Sequence, residues 1–328
     1  MNTPTHLAPL LDGILENDRA ALGRAITLVE SNAPDDRQNA QQLLTALLPS
    51  SGGAHRIGIS GVPGVGKSTF IETFGLQLVE GGHRVAVLAV DPSSSVSKGS
   101  ILGDKTRMEK LGASDDAFIR PSPTGGSLGG VARKTREAIL VCEAAGYDVV
   151  LVETVGVGQS ETAVAEMVDF FLLLKLAGAG DELQGIKRGI LELADLIAIN
   201  KADGNNLPAA ELARAEFERA LQILRPEDEN GWTPKVVTSS GQTGAGLDEI
   251  WAAINEHHEL LSANGELEKR RKQQLLGWMW SLVDEGLRAA VRAHPKVADT
   301  LASLEEAVLE GETTPTSAAE KILSTFKS

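Results

Sequence analysis

The chain has 328 residues, of which 42% are hydrophobic and 23% charged, as in ordinary soluble globular proteins. Its formal net charge of -14 excludes the basic footprint of nucleic-acid binders and of proteins that bind anionic membranes, so we expect a protein or small-molecule partner. Cys142 is the only cysteine, which excludes an intramolecular disulfide and a cysteine cluster for a metal. The sequence shows no secretory leader and no apolar stretch near the ~18 residues of a membrane span, and it therefore predicts a cytoplasmic protein.

Apolar residues at helical spacing run from Leu7 to about Leu48 and predict an N-terminal helical extension over residues 1–52. Short runs rich in Val, Ile and Leu follow, separated by glycine-rich turns and helix-like stretches: RIGIS, VAVLAVD, YDVVLVET, DFFLLLK, DLIAINK and KVVTSS. Continuous apolar runs of this length are typical of strands that are covered on both faces. Strands that alternate with helices predict an α/β fold with a mostly parallel sheet, whose ligand site lies beyond the carboxyl ends of the strands.

The C-terminal part of the sequence is helical in pattern. A helix is predicted over residues 247–261, and a long helical segment with two shorter ones completes the chain. The predicted division is an extension at 1–52, an α/β domain at 53–262 and a helical arm at 263–328. The one adjacent histidine pair, at positions 257 and 258, is interpreted as a surface pair, because neighbouring helical positions point to different faces.

Residues 61–69 read GVPGVGKST, which fits the P-loop pattern GxxxxGK[ST] directly after a predicted strand and before a predicted helix. Glycines let backbone N–H groups curl around phosphate oxygens, and the helix N-terminus adds positive potential. Lys67 is expected to reach the β and γ phosphates, and Ser68 to offer its hydroxyl to Mg²⁺. The alternative, a simple glycine turn before a helix, would match this pattern in about 1% of chains of this length. The residues predicted to bind phosphate are Gly61, Val62, Pro63, Gly64, Val65, Gly66, Lys67, Ser68 and Thr69.

Two carboxylates end predicted strands of the same sheet. Asp91 ends VAVLAVD, and Glu153 ends YDVVLVE shortly before Gly156, a glycine placed to sense the γ-phosphate. Capping a helix is as common a role for such a carboxylate as binding a metal. The position of both at strand ends beside a P-loop favours Mg²⁺. Gln159, in the same segment, is either the residue that positions the attacking water or a surface residue.

The sequence NKAD at residues 200–203 matches the pattern NKxD and closes a predicted strand. In this pattern the aspartate accepts two N–H bonds from guanine that adenine cannot offer. A tetrapeptide is a weak signal alone, but this one ends a later strand of the same sheet, and the next strand leads into a loop that could close over the base. The residues predicted to bind guanine are Asn200, Lys201, Asp203, Ser239, Ser240 and Gly241. The set predicts GTP or GDP as the ligand.

The motifs, in this order, resemble those of the metallochaperone-type P-loop GTPases of the SIMIBI class, in which the second switch motif begins with Glu rather than Asp. The resembling segments are GVPGVGKST, AVDPSS, KGSILGDKTRM, RPSPTGGSLGG, ETVGVGQSE, AGAGDELQGIK and NKAD. They are most similar to the MeaB/ArgK branch, over residues 58–241 and a similar helical tail. The resemblance implies a GTPase of low intrinsic rate that gates adenosylcobalamin delivery to a cobalamin-dependent acyl-CoA mutase and protects it, with methylmalonyl-CoA mutase the first candidate. It also implies a homodimer formed through the C-terminal arm, and an adenosyltransferase is a further candidate partner.

The resemblance also implies three switch loops. Residues 98–107 resemble switch I, 153–161 switch II and 177–187 the switch III of this branch. For residues 177–187 a solvated glycine-rich connection is the alternative, and the likeness favours a loop that contacts the mutase. The side chains implied in that contact are Asp181, Gln184 and Lys187.

The implied chemistry is in-line attack of water on the γ-phosphate, with charge stabilised by Mg²⁺, lysine and backbone amides. The resemblance places Ser68, Asp91 and Glu153 around Mg²⁺. The implied catalytic group is Lys67, Asp104, Glu153 and Gln159.

Two other functions stay open at the level of sequence. Older labels for this branch describe kinases or ATPases of basic amino-acid transport, which would be indifferent to guanine; the NKAD motif argues against them. A nickel-insertion GTPase of the same class would need a histidine-rich tail or a paired-cysteine site, which the sequence lacks.

Overall fold

The computed structural model describes residues 4–90, 108–121, 128–154, 160–178, 188–224 and 231–327. Chain contacts divide it into two compact units, Met1–Arg271 and Lys272–Ser328. The first unit holds the sheet and most of the helices. The second consists of helices.

In the described residues seven strands form one sheet, and every neighbouring pair is parallel. The strands are β1 (His55–Gly61), β2 (Val85–Val90), β3 (Ala117–Arg120), β4 (Val149–Thr154), β5 (Phe170–Leu176), β6 (Leu196–Asn200) and β7 (Lys235–Thr238). Their order across the sheet is β3-β2-β4-β1-β5-β6-β7, which confirms the predicted α/β fold. The edge strand β3 was not among the predicted strands, because four residues are too few to show a periodic pattern.

Helices connect the strands and extend both ends of the chain. They are α1 (Ala8–Leu15), α2 (Arg19–Glu30), α3 (Pro34–Leu47), α4 (Lys67–Glu80), α5 (Glu109–Gly112), α6 (Leu128–Ala144), α7 (Ser160–Ala165), α8 (Arg188–Leu193), α9 (Leu207–Leu224), α10 (Leu247–Ala263), α11 (Glu266–Ala293), α12 (Pro295–Leu309) and α13 (Pro315–Lys327). Local signals fix several starts: the Asp18 side chain accepts a 2.8 Å hydrogen bond from the Ala20 amide, and α3 opens with Pro34. The predicted N-terminal helices, the helix near 247–261 and the helical tail are confirmed.

The sheet is covered on both faces. One face carries the three N-terminal helices and α6 to α9, packed around buried side chains such as Ile26, Leu43 and Val150. The other carries α4 and α10, packed around Phe70 and Phe74. Because all strands run in the same direction, their carboxyl ends share one edge of the sheet, here called the carboxyl edge, and their starts share the opposite amino edge.

Two buried ion pairs hold the amino edge together. The Arg56 guanidinium donates to both oxygens of Glu143 at 2.7 and 2.8 Å. Arg271, near the start of α11, donates to both oxygens of Asp169 at 2.9 and 2.6 Å and to the Ala54 carbonyl at 2.8 Å. The start of the long C-terminal helix is therefore fixed to the residues that immediately precede β1 and β5.

The interpretation of the histidine pair as a surface feature is wrong for His257. This side chain is 1% exposed and meets the rings of Phe170 and Trp232 edge-on, with centroids 5.0 and 5.1 Å away. Burial lowers the pKa of His257. His258, by contrast, is only half-buried and lies 4.2 Å from the ring of His55. The two histidines do lie on different faces of α10, as expected for neighbouring positions, but the face that carries His257 packs into the core.

The second unit carries exposed apolar side chains on α11. Leu276, Trp280, Val283 and Leu287 recur at helical spacing and are 40 to 61% exposed. Within this unit α12 and α13 pack on each other, with Val297 fully buried. Among the described helices of the chain, none is long and apolar enough to cross a membrane.

Candidate nucleotide site

The predicted P-loop forms a turn at the carboxyl edge, where β1 ends at Gly61 and α4 begins at Lys67. Gly61 has a φ of +156°, and a Cβ there would lie 2.6 Å from the Leu174 carbonyl oxygen of β5, so only glycine fits. Gly64 and Gly66 lie in the left-handed region, with φ of +81° and +96°. The turn leads straight into the first turn of α4, whose N–H groups have no acceptor within the helix. This arrangement suits an anion.

The Lys67 ammonium is folded back onto the turn. It donates to the Gly61 carbonyl at 2.6 Å and lies 3.4 Å from the Val62 carbonyl, and the residue is 8% exposed. Burial lowers the pKa of Lys67, while the negative charges of Glu153 and Glu161 raise it. An ammonium has three N–H donors, so Lys67 can keep its carbonyl contacts and still donate to an anion at the turn.

Glu153 lies beside the turn at the end of β4. Its strand register pairs it with Ile59 of β1, two residues before Gly61, and it is 7% exposed. The next residue, Thr154, donates a 2.9 Å hydrogen bond from its hydroxyl to the Ser60 hydroxyl. The structure therefore brings Glu153 beside the P-loop turn, where its charge acts on Lys67. Ser68, in the first turn of α4, is half-buried.

The NKAD motif is fastened to the P-loop. The Asn200 side chain donates to the Val65 carbonyl at 2.8 Å and accepts from the Gly241 amide at 3.0 Å. Lys201 has a left-handed φ of 59° and donates from its ammonium to the Gly64 carbonyl at 2.8 Å. The two predicted motifs, 135 residues apart between Val65 and Asn200, thus share one hydrogen-bonded surface.

Asp203 and the loop after β7 form the other end of the site. The Ser240 hydroxyl donates to Asp203 at 2.5 Å, and the Ala202 amide donates to the Ser239 carbonyl at 2.9 Å. The Thr73 hydroxyl of α4 donates to the Gly241 carbonyl at 2.5 Å. Within the described part of the chain the buried Ser239 hydroxyl has no hydrogen-bond partner, which fits a site that takes a polar ligand.

Several predicted site residues lie outside the described residues. They are Asp91, Asp104, Gln159, Asp181, Gln184 and Lys187, together with Gly156. Among the residues that the structure does describe, the phosphate turn, Glu153, the NKAD motif and the 239–241 loop lie together at the carboxyl edge.

Comparison with known proteins shows which family has this sequence. Residues 22–296 match the family described as methylmalonyl Co-A mutase-associated GTPase MeaB. The chain belongs to the MeaB family. It is therefore a GTPase, which confirms both the resemblance and the enzyme class predicted from the motifs.

Individual relatives of this MeaB-family chain match over most of their length. A protein of Caulobacter vibrioides is 58% identical over 313 residues, covering 95% of each chain. The GTPase ArgK of Escherichia coli is 52% identical over 279 residues, covering 85% of this chain and 84% of its own. A crystal structure titled LAO/AO transport system kinase superposes with a TM-score of 0.80 at 39% identity and full coverage of both chains.

Sequence reasoning missed two side chains of this MeaB-family site. Glu161 is 6% exposed and acts on Lys67, although the motif placed it only at the end of a switch segment. Thr73 ties α4 to the loop after β7. Thr73 follows Thr69, the last residue of the P-loop motif, by one helical turn, so the two lie on the same face of α4. That spacing could have marked Thr73 as a site residue from the sequence. For Glu161 the signal was weaker, because its burial depends on how α7 packs.

Proposed function

We propose that this chain binds GTP with Mg²⁺, hydrolyses it slowly, and uses the cycle to gate adenosylcobalamin delivery to an acyl-CoA mutase and to protect that enzyme. The observation that carries the nucleotide part is the Asn200 bridge, which joins the phosphate turn to the loop after β7. Methylmalonyl-CoA mutase is the proposed partner, because the family is described as associated with that mutase. An adenosyltransferase is a further proposed partner.

The base end of the site favours guanine. Asp203 already accepts one hydrogen bond, from the Ser240 hydroxyl, so its carboxylate is oriented and retains capacity to accept N–H groups of a guanine edge. Adenine offers no matching pair of donors. The buried Ser239 hydroxyl, in the loop whose Ser240 bonds Asp203, has no hydrogen-bond partner among the described residues and could bind the base as well.

The phosphate end supplies the groups that hydrolysis needs. Lys67 would donate to β and γ phosphate oxygens, and backbone amides of the turn would hold the remaining oxygens. Ser68 and Glu153, with Asp91, would hold Mg²⁺, which neutralises phosphate charge when it is bound. Water would then attack in line. Gln159 is the proposed water-positioning residue, and Asp104 belongs to the proposed catalytic group.

The proposed partner loop starts beside the guanine motif. Residues 177–187 follow β5 directly, and Leu176, the last residue of β5, pairs in register with Asn200. A shift of Asn200 when the nucleotide changes would therefore act on Leu176, the residue just before this loop. That placement supports a contact with the mutase that depends on the nucleotide state, made through Asp181, Gln184 and Lys187.

A homodimer and a cytoplasmic location complete the proposal. The exposed stripe of Leu276, Trp280, Val283 and Leu287 on α11 supports self-association, since a helix with one apolar face is stabilised by covering it. The location rests on the sequence alone.

One solved relative is described as a transport system kinase, and a P-loop can serve phosphoryl transfer as well as hydrolysis. The kinase alternative differs in its product, a phosphorylated protein or small molecule. It also predicts no preference for guanine, against the arrangement around Asp203.

The deciding experiment measures phosphate release from GTP and from ATP by the purified protein, alone and with methylmalonyl-CoA mutase. We expect GTP to be preferred and the mutase to accelerate release, because the partner would order the switch loops. Equal use of ATP would contradict the guanine site. Preference for GTP without stimulation by any cobalamin-dependent mutase would contradict the chaperone role and leave the GTPase.

A further inference from the structure

The NKAD loop has an unfavourable backbone conformation at Lys201. Its φ of 59° lies in the left-handed region, which residues with a Cβ avoid. Asparagine and aspartate can stabilise that conformation with their own short side chains, but lysine cannot. Contacts with other residues must therefore hold it, and Asp203, the proposed guanine ligand, is only two residues further along the chain.

Asn206 supplies such a contact from the far end of the same loop. Its side-chain nitrogen donates to the Lys201 carbonyl at 2.7 Å, and its backbone amide donates to the Asp203 carbonyl at 3.0 Å. Because a carbonyl can only accept, the nitrogen and not the oxygen of the Asn206 amide must face Lys201. Asn206 lies outside the NKxD pattern, yet both of its bonds hold residues of that pattern.

The Asp203 carboxylate takes no part in closing this loop. Residues Gly204–Asn206 form a short 3₁₀ turn with Asp203 at its N-cap position, but the Asp203 side chain makes no capping hydrogen bond. Aspartate at an N-cap commonly accepts from the amides of the turn that follows. Here the carboxylate accepts from the Ser240 hydroxyl instead, and the bonds of Asn206 close the loop. The remaining acceptor positions of Asp203 are thereby left for a ligand.

We infer that Asn206 is a positioning residue for guanine recognition: it holds Lys201 in the left-handed conformation and so keeps the Asp203 carboxylate turned to the base instead of to its own loop. The inference rests on the proposed guanine site and deepens it. Without the Asn206 side chain, Lys201 relaxes towards the conformations that lysine prefers, and Asp203 can cap the turn that follows it. The loss then falls on recognition of the base.

The test compares Asn206→Ala with Asn205→Ala. Asn205 is the neighbouring asparagine of the same short turn and is exposed. Competition binding measures the affinities for GDP and ADP. For Asn206→Ala we expect GDP affinity to fall by about tenfold, the usual cost of a left-handed conformation for a residue with a Cβ. ADP affinity should stay constant, because adenine lacks the pair of donors that Asp203 accepts. A merely structural loss would lower both affinities or neither.

Two further variants separate the hydrogen bond from the shape of the side chain. Asn206→Asp keeps the shape but replaces the donor with an acceptor, so we expect it to lose at least as much GDP affinity as Asn206→Ala. Lys201→Gly removes the Cβ that makes the left-handed conformation unfavourable. In that background Asn206→Ala should weaken GDP binding less than it does in the wild type.

Three results would overturn the role of Asn206: an unchanged preference for GDP over ADP in Asn206→Ala, wild-type GDP affinity in Asn206→Asp, or an undiminished effect of Asn206→Ala in the Lys201→Gly background. If Asn206→Ala does not fold, the ratio of GDP to ADP affinity in Asn206→Asp decides the matter. A wild-type protein that binds ADP as tightly as GDP would instead refute the proposed guanine site.

Discussion

The Asn200 side chain bridges two loops: its nitrogen donates to the Val65 carbonyl at 2.8 Å, and its oxygen accepts from the Gly241 amide at 3.0 Å. Asn200 is 2% exposed, so neither bond competes with bulk water. One side chain thereby joins the P-loop turn to the loop after β7, the proposed phosphate and base ends of the site. Nucleotide affinity should therefore depend on this bridge.

Replacing Asn200 with Ala removes both hydrogen bonds and leaves a buried carbonyl and a buried amide without a partner. Each such group costs about 1–3 kcal/mol. We expect the free energy of unfolding to fall by about 2–6 kcal/mol for the two groups. GDP and GTP should bind at least about tenfold more weakly, a change of about 1.4 kcal/mol. Calorimetric titration and chemical denaturation measure the two. Asn255→Ala, at a half-buried position of α10, is the control, and equal affinities in the two variants would rule out the bridging role.

Replacing Asp203 with Asn alters the pattern of donors and acceptors that faces the base. We expect GTP affinity to fall by about 100-fold and xanthosine triphosphate to become the better ligand, because the amide can donate to the xanthine oxygen. Competition binding with both nucleotides measures the change. The exposed Asp299→Asn of α12 should keep the preference for GTP. An unchanged preference in Asp203→Asn would contradict the guanine assignment and revive the kinase alternative.

Sequence was informative where the chemistry is local and failed where it depends on packing. The P-loop and NKAD can be recognised because each is a short run of adjacent residues, and their strand-end positions follow from the parallel sheet. The burial of Glu161 is different in kind, since it needs α7 to rest on Gly58. The prediction that His257 lies at the surface was wrong for the same reason. Helical spacing shows which residues share a face, but only tertiary packing decides which face contacts Phe170 and Trp232.

A histidine cluster at the amino edge should make the fold sensitive to acid. Burial and then the neighbouring His258 lower the pKa of His55 to about 4, while Asp169 and Asp148 oppose this shift and His83 adds to it. The unfolded histidine, with a pKa of about 6.5, takes up a proton first as pH falls, so stability is full above 6.5 and is lost between 6.5 and 4.

The loss from His55 amounts to at most about 2 kcal/mol between pH 7 and pH 5, reduced by the share that water screens. Urea unfolding at both values measures it. His55→Gln should remove that part of the slope, whereas the exposed His6→Gln should leave the slope unchanged. Identical slopes in both variants would show that His55 is not the titrating group.

The Asp169–Arg271 pair should be the strongest single ionic contribution to attachment of α11. Burial alone would raise the pKa of Asp169, but hydrogen bonds and charge from Arg271 outweigh it and hold the pKa below its usual range. Asp169→Asn breaks a buried pair and should cost about 3–5 kcal/mol of unfolding free energy. Thermal and urea unfolding check this, with the exposed Asp12→Asn as control. A loss as small as that of the control would mean that the pair is not structurally important.

The apolar stripe on α11 yields a test of the proposed homodimer. Trp280 is 61% exposed at the middle of the stripe, and a glutamate there would place an unpaired charge in a buried interface, at a cost of several kcal/mol. We expect light scattering after size-exclusion chromatography to give twice the 34.6 kDa of one chain for the wild type and a single chain for Trp280→Glu. Leu309→Glu is the matched control, since Leu309 is 87% exposed in the same unit but lies off the stripe. A wild type that elutes as a monomer, or a Trp280→Glu variant that stays dimeric, would exclude this face as the dimer contact.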